Sequence, residues 1–136
     1  MAPAVTGDMG APPAERVNIL VVDDRHSKLV AMEALLSELG ENVVCVPTGA
    51  DALRQLLERE FAVVLLDVNM PEMDGYETMQ AIRSIPRFRS LPVVAVTAKA
   101  MKGDREKCIE AGASDYVSKP VDPDELVSKL RAWLLR

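Results

Sequence analysis

An open α/β sandwich, with parallel strands covered by helices on both faces, is the fold class that three observations predict. Short β-rich runs alternate with helical stripes five times from Val17 onward. The two central runs, Phe61–Leu66 (FAVVLL) and Pro92–Thr97 (PVVAVT), are almost wholly apolar, as strands buried on both faces must be. The connections are short, and parallel neighbours need a right-handed crossover through a helix. Five such units make a doubly wound sheet.

Taken in order, Val17 to Val22 is the first strand and ends on Asp23-Asp24. Ser27 to Leu39 carries apolar groups at Leu29, Met32, Leu35, Leu36 and Leu39, a helical stripe that stops at Gly40. Asn42 to Val46 is the second strand. Thr48 can cap the helix after it, whose inner face is Ala52, Leu53, Leu56 and Leu57. The Phe61–Leu66 strand breaks off at Asp67, and Asp74-Gly75 reads as a turn signal. A helix from about Tyr76 to Ser84 is ended by Pro86, and the Pro92–Thr97 strand follows. A helix from about Asp104 to Ala111 stops at Gly112, before a short strand at Asp115-Tyr116-Val117. Asp122-Pro123-Asp124-Glu125 is a strong helix start, with an Asp cap, Pro at the first helical position and Glu at the third. Leu126, Val127, Leu130 and Leu134 are that helix's inward face.

Composition bounds the function. The chain has 136 residues, enough for one domain with a single core. Residues 1 to 15 are rich in Ala, Pro and Gly and are expected to form a flexible tail or linker, leaving 16–136 as the folded domain. A formal charge of −5 argues against nucleic-acid binding by the surface as a whole. No apolar run approaches the ~18 residues of a membrane span, and the start lacks the basic head and apolar core of a secretory signal. Membrane insertion is therefore not expected, and cytoplasmic residence is. Cys45 and Cys108 have no metal-ligand spacing and are expected to be small buried hydrophobes.

The chemistry lies at the strand ends. In a parallel sheet the carboxyl ends share one edge, where open α/β folds place their ligands. Asp23 and Asp24 end the first strand, Asp67 the third and Thr97 the fourth, and Lys119 follows the fifth. Three converging carboxylates repel one another, and a hard divalent cation such as Mg²⁺ relieves that. A carboxylate nucleophile, a divalent metal, a cation and a hydroxyl are the parts phosphoryl transfer requires. Asp67 is then the group that attacks. Thr97 and Lys119 bind oxygens of the transferred phosphoryl group.

Five motifs in this order make the chain recognisable: VVDDR, LLDVNMPEMDG, VVAVTA, the aromatic of DYVSKP, and the Lys-Pro itself. Across residues of about 17 to 135 the sequence resembles the receiver domain of bacterial two-component response regulators. The stretches DVNMPEMDG and VTAKAMKGDREKCIEAGASDYVSKPVD look most like receivers attached to hybrid sensor histidine kinases. The resemblance implies a flavodoxin-like strand order of 2-1-3-4-5 and a phosphoacceptor signalling domain, not an enzyme acting on a separate substrate. It implies a phosphohistidine donor on a histidine kinase or a histidine phosphotransfer protein. It implies Mg²⁺ held by Asp23, Asp24, Asp67 and the backbone carbonyl of Asn69. Thr97 and Tyr116 become a switch pair, and a downstream protein reads the face of the fourth helix, fifth strand and fifth helix, with phosphorylation-dependent dimerisation as a further output. Asn69 and Lys99 are expected to modulate the lifetime of the phosphorylated state, and the Lys119–Pro120 bond to be cis. Arg25 is a mild departure, a cation beside the acidic pair.

Each signal has a plainer reading. His26 is expected to be an exposed helix-start residue, and Arg83, Arg87 and Arg89 a solvated loop. Met70 and Met73 are expected to pack. Trp133 is expected to be partly exposed, near a dimer or partner surface. A phosphatase with an Asp nucleophile would carry an acid two residues on from the first, not the adjacent pair Asp23-Asp24. A flavin or nucleotide binder would need a Gly- or Ser/Thr-rich phosphate loop after the first strand, and Asp23-Asp24-Arg25-His26 is neither. A degenerate receiver acting only by contact is opposed by the intact acidic, Thr and Lys set. The chain stops about one residue past the last helix, which fits a stand-alone receiver or a piece of a longer kinase.

Overall fold

The computed structural model describes residues 16–68, 75–97 and 102–135. Five parallel strands form one sheet: β1 (Asn18–Val22), β2 (Asn42–Val46), β3 (Val63–Asp67), β4 (Val93–Thr97) and β5 (Asp115–Ser118), in the order β2-β1-β3-β4-β5. Among the described residues, α1 (His26–Leu36), α2 (Gly49–Glu58), α3 (Gly75–Arg83) and α4 (Lys102–Ala111) lie between successive strands, and α5 (Pro123–Leu134) follows β5. The expected fold class and strand order are both present.

Side chains alternate across the sheet and split the core in two. Leu20, Val22, Val64, Leu66, Val93 and Ala95 pack on one face with Leu56 of α2, Met79 and Ile82 of α3 and Cys108 of α4. Ile19, Val21, Val63, Leu65, Val94 and Val96 pack on the other with Leu29 and Leu36 of α1 and Leu126 and Leu130 of α5. β3 is buried at all five positions, as a central strand covered twice must be.

Local signals place the element ends. Thr48 accepts a hydrogen bond from the Asp51 amide, and Asp122 from those of Asp124 and Glu125, so both expected caps form. The helix expected to run to Leu39 leaves α geometry at Leu36 and finishes as a 3-10 turn over Ser37–Leu39. Gly40 closes it in the left-handed region at φ +73°. A second 3-10 turn, Pro86–Phe88, follows α3. β3 starts at Val63, two residues later than the apolar run, because Phe61 and Ala62 are only half-buried at the sheet margin. Leu57, expected to face inward from α2, is 56% exposed, because Ala52 and Leu56 already fill the stripe facing the sheet. Cys108 is fully buried and Cys45 half-buried.

The expectation for Arg83 is overturned. It is not solvated. Its guanidinium is half-buried at the sheet's amino edge and donates to the carbonyls of Gly112 (2.8 Å), Phe88 (2.7 Å) and Leu91 (2.7 Å), and to Ser114 Oγ (3.2 Å). Its long stem lets one residue reach both the connection before β4 and the connection before β5. Gly112 sits against it: at φ +118°, a Cβ there would lie 2.7 Å from Arg83 Cγ. Arg87 and Arg89 are exposed, as expected.

Candidate functional site

The carboxyl edge gathers the chemistry because β1 leads into Asp23, and β3, β4 and β5 end on polar residues that their neighbours' register holds in place. β1 leads into Asp23, whose amide donates to the Val46 carbonyl (3.2 Å). Asp67 ends β3, paired with Val96 of β4, and Thr97 ends β4, paired with Ser118 of β5. The Lys119 amide donates to the Thr97 carbonyl (2.8 Å), which fixes where the lysine leaves the sheet. The Lys119–Pro120 bond is cis, as the resemblance implied.

Asp23, Asp67 and Thr97 are buried at 8%, 5% and 2% exposure, while Asp24 is exposed. One oxygen from each of Asp23, Asp24 and Asp67 can be chosen so that all lie within 4.8 Å of one another. Lys119 Nζ donates to Asp67 Oδ1 at 3.0 Å. Burial pushes the Asp23 carboxyl above the ordinary aspartate range; the Asp67 and Asp24 charges push the same way, against the Arg25 amide and Lys119. The Arg25 amide donates to Asp23 Oδ1 at 3.0 Å, so what Arg25 supplies to this carboxylate is a backbone hydrogen bond.

Gly75 shapes the site, for a reason that a turn signal does not convey. It is the first residue of α3, and a Cβ there would lie 2.2 Å from Val68 Cα and 2.6 Å from the Asp67 carbonyl oxygen. The helix start rests on the backbone that carries Asp67. Sequence reasoning found a glycine here but not this contact, which exists only once α3 folds back.

The donor set fits a small hard cation. It consists of carboxylate oxygens, crowded and partly buried, with one face open to water through exposed Asp24. Asn69 and Lys99 lie outside the described residues, as do Met70 and Met73. A cavity of about 270 Å³ adjoins the cluster between α1 and the segment after β5, lined by Asp23, Lys28, Met32, Val96, Lys119 and Pro120.

Tyr116 is half-buried on β5, opposite Ala95 and on the sheet face that carries Thr97. Its neighbour Asp115, which the sequence marked only as a strand start, accepts three hydrogen bonds. These come from Lys129 Nζ (3.0 Å), Trp133 Nε1 (3.2 Å) and the Tyr116 amide (2.8 Å). His26 is exposed at the start of α1 and Trp133 is half-buried, both as expected.

A doubly wound parallel sheet with an acidic cluster and a lysine at its carboxyl edge has the class of architecture that receiver domains share. Residues 19–131 match the response regulator receiver domain, and the chain belongs to that family. It is 37% identical over 134 residues to the sensor protein GacS of Pseudomonas syringae pv. syringae, covering 96% of this chain and 15% of that protein. It is 40% identical over 121 residues to an uncharacterised 14.6 kDa protein of Leptolyngbya boryana, covering 88% of this chain and 92% of that one. Among solved structures, it superposes with a TM-score of 0.81 on the receiver domain of the sensor histidine kinase PA1611 from Pseudomonas aeruginosa PAO1. That match is 36% identical and covers 89% of this chain and 99% of that one, and the structure carries a magnesium ion coordinated in its active-site cleft. The chain thus spans a small part of the sensor kinase it matches. Receiver domains serve two-component signalling and partner with histidine kinases. Among the described residues no helix is long and apolar enough to cross a membrane.

Proposed function

We propose that this domain accepts a phosphoryl group on Asp67 from a phosphohistidine of a histidine kinase or histidine phosphotransfer protein, and acts in the cytoplasm. The observation that carries the reading is the placement of Asp67: buried at the end of β3, 3.0 Å from Lys119 and within a carboxylate cluster with Asp23 and Asp24. An Asp67 carboxylate oxygen attacks phosphorus in line, the P–N bond to the imidazole breaks, and the imidazole leaves with the bonding pair. The product is an acyl phosphate. Lys119 then pairs with a phosphoryl oxygen, and the Thr97 hydroxyl donates to another.

Asp23, Asp24 and Asp67 would hold Mg²⁺, with the Asn69 carbonyl as a further ligand. When bound, the ion supplies positive charge against the oxygens of the transferred group. Movement of Thr97 toward the phosphoryl group leaves space on its sheet face, and the Tyr116 ring turns into it. The α4–β5–α5 face is what a downstream protein, or a second copy in a phosphorylation-dependent dimer, would read. Asn69 and Lys99 would set how readily water reaches the acyl phosphate.

The test is labelling by a small phosphodonor in Mg²⁺. One acid-stable, base-labile phosphoryl group is expected, lost in Asp67→Asn and lost in chelator for the wild type. Labelling of Asp67→Asn at the wild-type level would refute the assignment.

A further inference from the structure

Lys129 stands where the two faces of the sheet meet. β5 is an edge strand, so a side chain from α5 on one face can reach around it to the other. Asp115 turns toward α5 and accepts from Lys129 and Trp133. Tyr116, one residue on, points to the opposite face and packs with the cluster that contains Ala95 and Cys108. The Lys129 ammonium lies 3.0 Å from Asp115 Oδ1 and 5.4 Å from the centroid of the Tyr116 ring, bridging both.

We propose that Lys129, tethered by Asp115, is a positioning residue that holds the Tyr116 ring at the sheet edge and so sets the resting balance of the switch. This rests on the reading of Thr97 and Tyr116 as the switch pair. Ala95 and Thr97 of β4 share a face with Tyr116, so a ring moving toward Thr97 travels inward along that face, away from the edge. The ammonium cannot follow while Asp115 holds it. The attraction between cation and ring therefore favours the edge position alone, and only such a differential contact can bias two states. Lys107 over the Tyr76 ring, at 4.4 Å, is the same kind of contact between α4 and α3 and serves as an internal reference.

The chain has two tyrosines, so ring-labelled tyrosine gives two sets of NMR signals, from Tyr76 and Tyr116. In the free protein, Lys129→Met should shift the Tyr116 ring toward Thr97 and leave Tyr76 unchanged, whereas Lys129→Arg, which keeps a cation over the ring, should not. Magnesium beryllofluoride, a phosphoryl mimic, should bind Lys129→Met about two- to fivefold more tightly than wild type. That gain should vanish when Tyr116→Ala is also present. An unmoved Tyr116 ring in free Lys129→Met overturns the proposal, as does a gain that persists without the tyrosine ring. Lys129 is part-exposed and methionine keeps its stem, and an unchanged Tyr76 signal verifies the fold in the same spectrum. A wild-type ring that ignores bound beryllofluoride refutes the switch reading instead. If beryllofluoride fails to bind any form, the Asp67 reading falls, while the ring position in the free protein still decides the role of Lys129.

Discussion

The two edges of this sheet handle charge in opposite ways. At the amino edge the Arg83 guanidinium is half-buried among oxygen acceptors, each near 2.7–2.8 Å for its three best carbonyls. Asp115, at the amino end of β5, has three donors. At the carboxyl edge three carboxylates crowd within 4.8 Å, with one lysine ammonium in contact with Asp67. The amino edge is satisfied internally and closed. Among the described residues the carboxyl edge gathers three carboxylates and the Lys119 ammonium, the setting in which the proposed cation and phosphoryl group would sit. Stabilising contacts are concentrated at one edge and the proposed reactivity at the other.

The sharpest way to break that comparison is to remove Arg83. Arg83→Ala takes the guanidinium donor from three carbonyls, in the connections before β4 and β5, and should cost about 2–4 kcal/mol in urea denaturation. Arg83→Lys should recover part of this. If the edges are separate, the folded fraction of Arg83→Ala should still bind Mg²⁺ with wild-type affinity. A stability loss below about 0.5 kcal/mol, ordinary for a surface site, would contradict the staple role.

Gly75→Ala tests the opposite edge by packing. The added methyl meets Val68 and the Asp67 carbonyl, so α3 or the backbone of Asp67 must shift, at about 1–3 kcal/mol. Unlike Arg83→Ala, it should also weaken beryllofluoride binding, because the displaced backbone carries Asp67, the proposed acceptor. Full retention of affinity would show that α3 alone yields.

The smallest effect is the most diagnostic, because its sign differs between the edges. Burial alone would raise Asp115, but hydrogen bonds from Lys129, the Tyr116 amide and Trp133 outweigh it and hold the carboxyl below its ordinary range. A depressed folded-state pKa stabilises above the unfolded value of about 3.9 and loses that stability as pH falls through the folded value. Asp23 is raised, first by its burial, so its contribution is fully present below about 3.9 and lost as pH rises through the folded value. In metal-free protein, Asp115→Asn should therefore be destabilising at neutral pH, with the deficit shrinking in acid. Asp23→Asn should be neutral or stabilising at neutral pH, and that advantage should shrink in acid. Parallel pH profiles for the two variants would erase the distinction between the edges.

Much of this was legible in the sequence because it depends on local rules. Apolar runs of strand length, helical stripes and the caps at Thr48 and Asp122 each act within a few residues. Asp23, Asp24, Asp67, Thr97 and Lys119 could be grouped without coordinates because parallel strands bring their carboxyl ends to one edge. What only the tertiary structure decided are contacts between segments far apart in the chain. Arg83 reads as one of three loop arginines until the connections before β4 and β5 fold around it. Gly75 reads as a turn until α3 packs on Asp67. Nothing in the helical pattern singles out Lys129, whose partners appear only when α5 lies along an edge strand, with Asp115 on one side and Tyr116 on the other. A sequence pattern reports the period of an element and so which face it buries. Which distant atom a side chain meets is set by how the elements pack, and pattern carries no record of that.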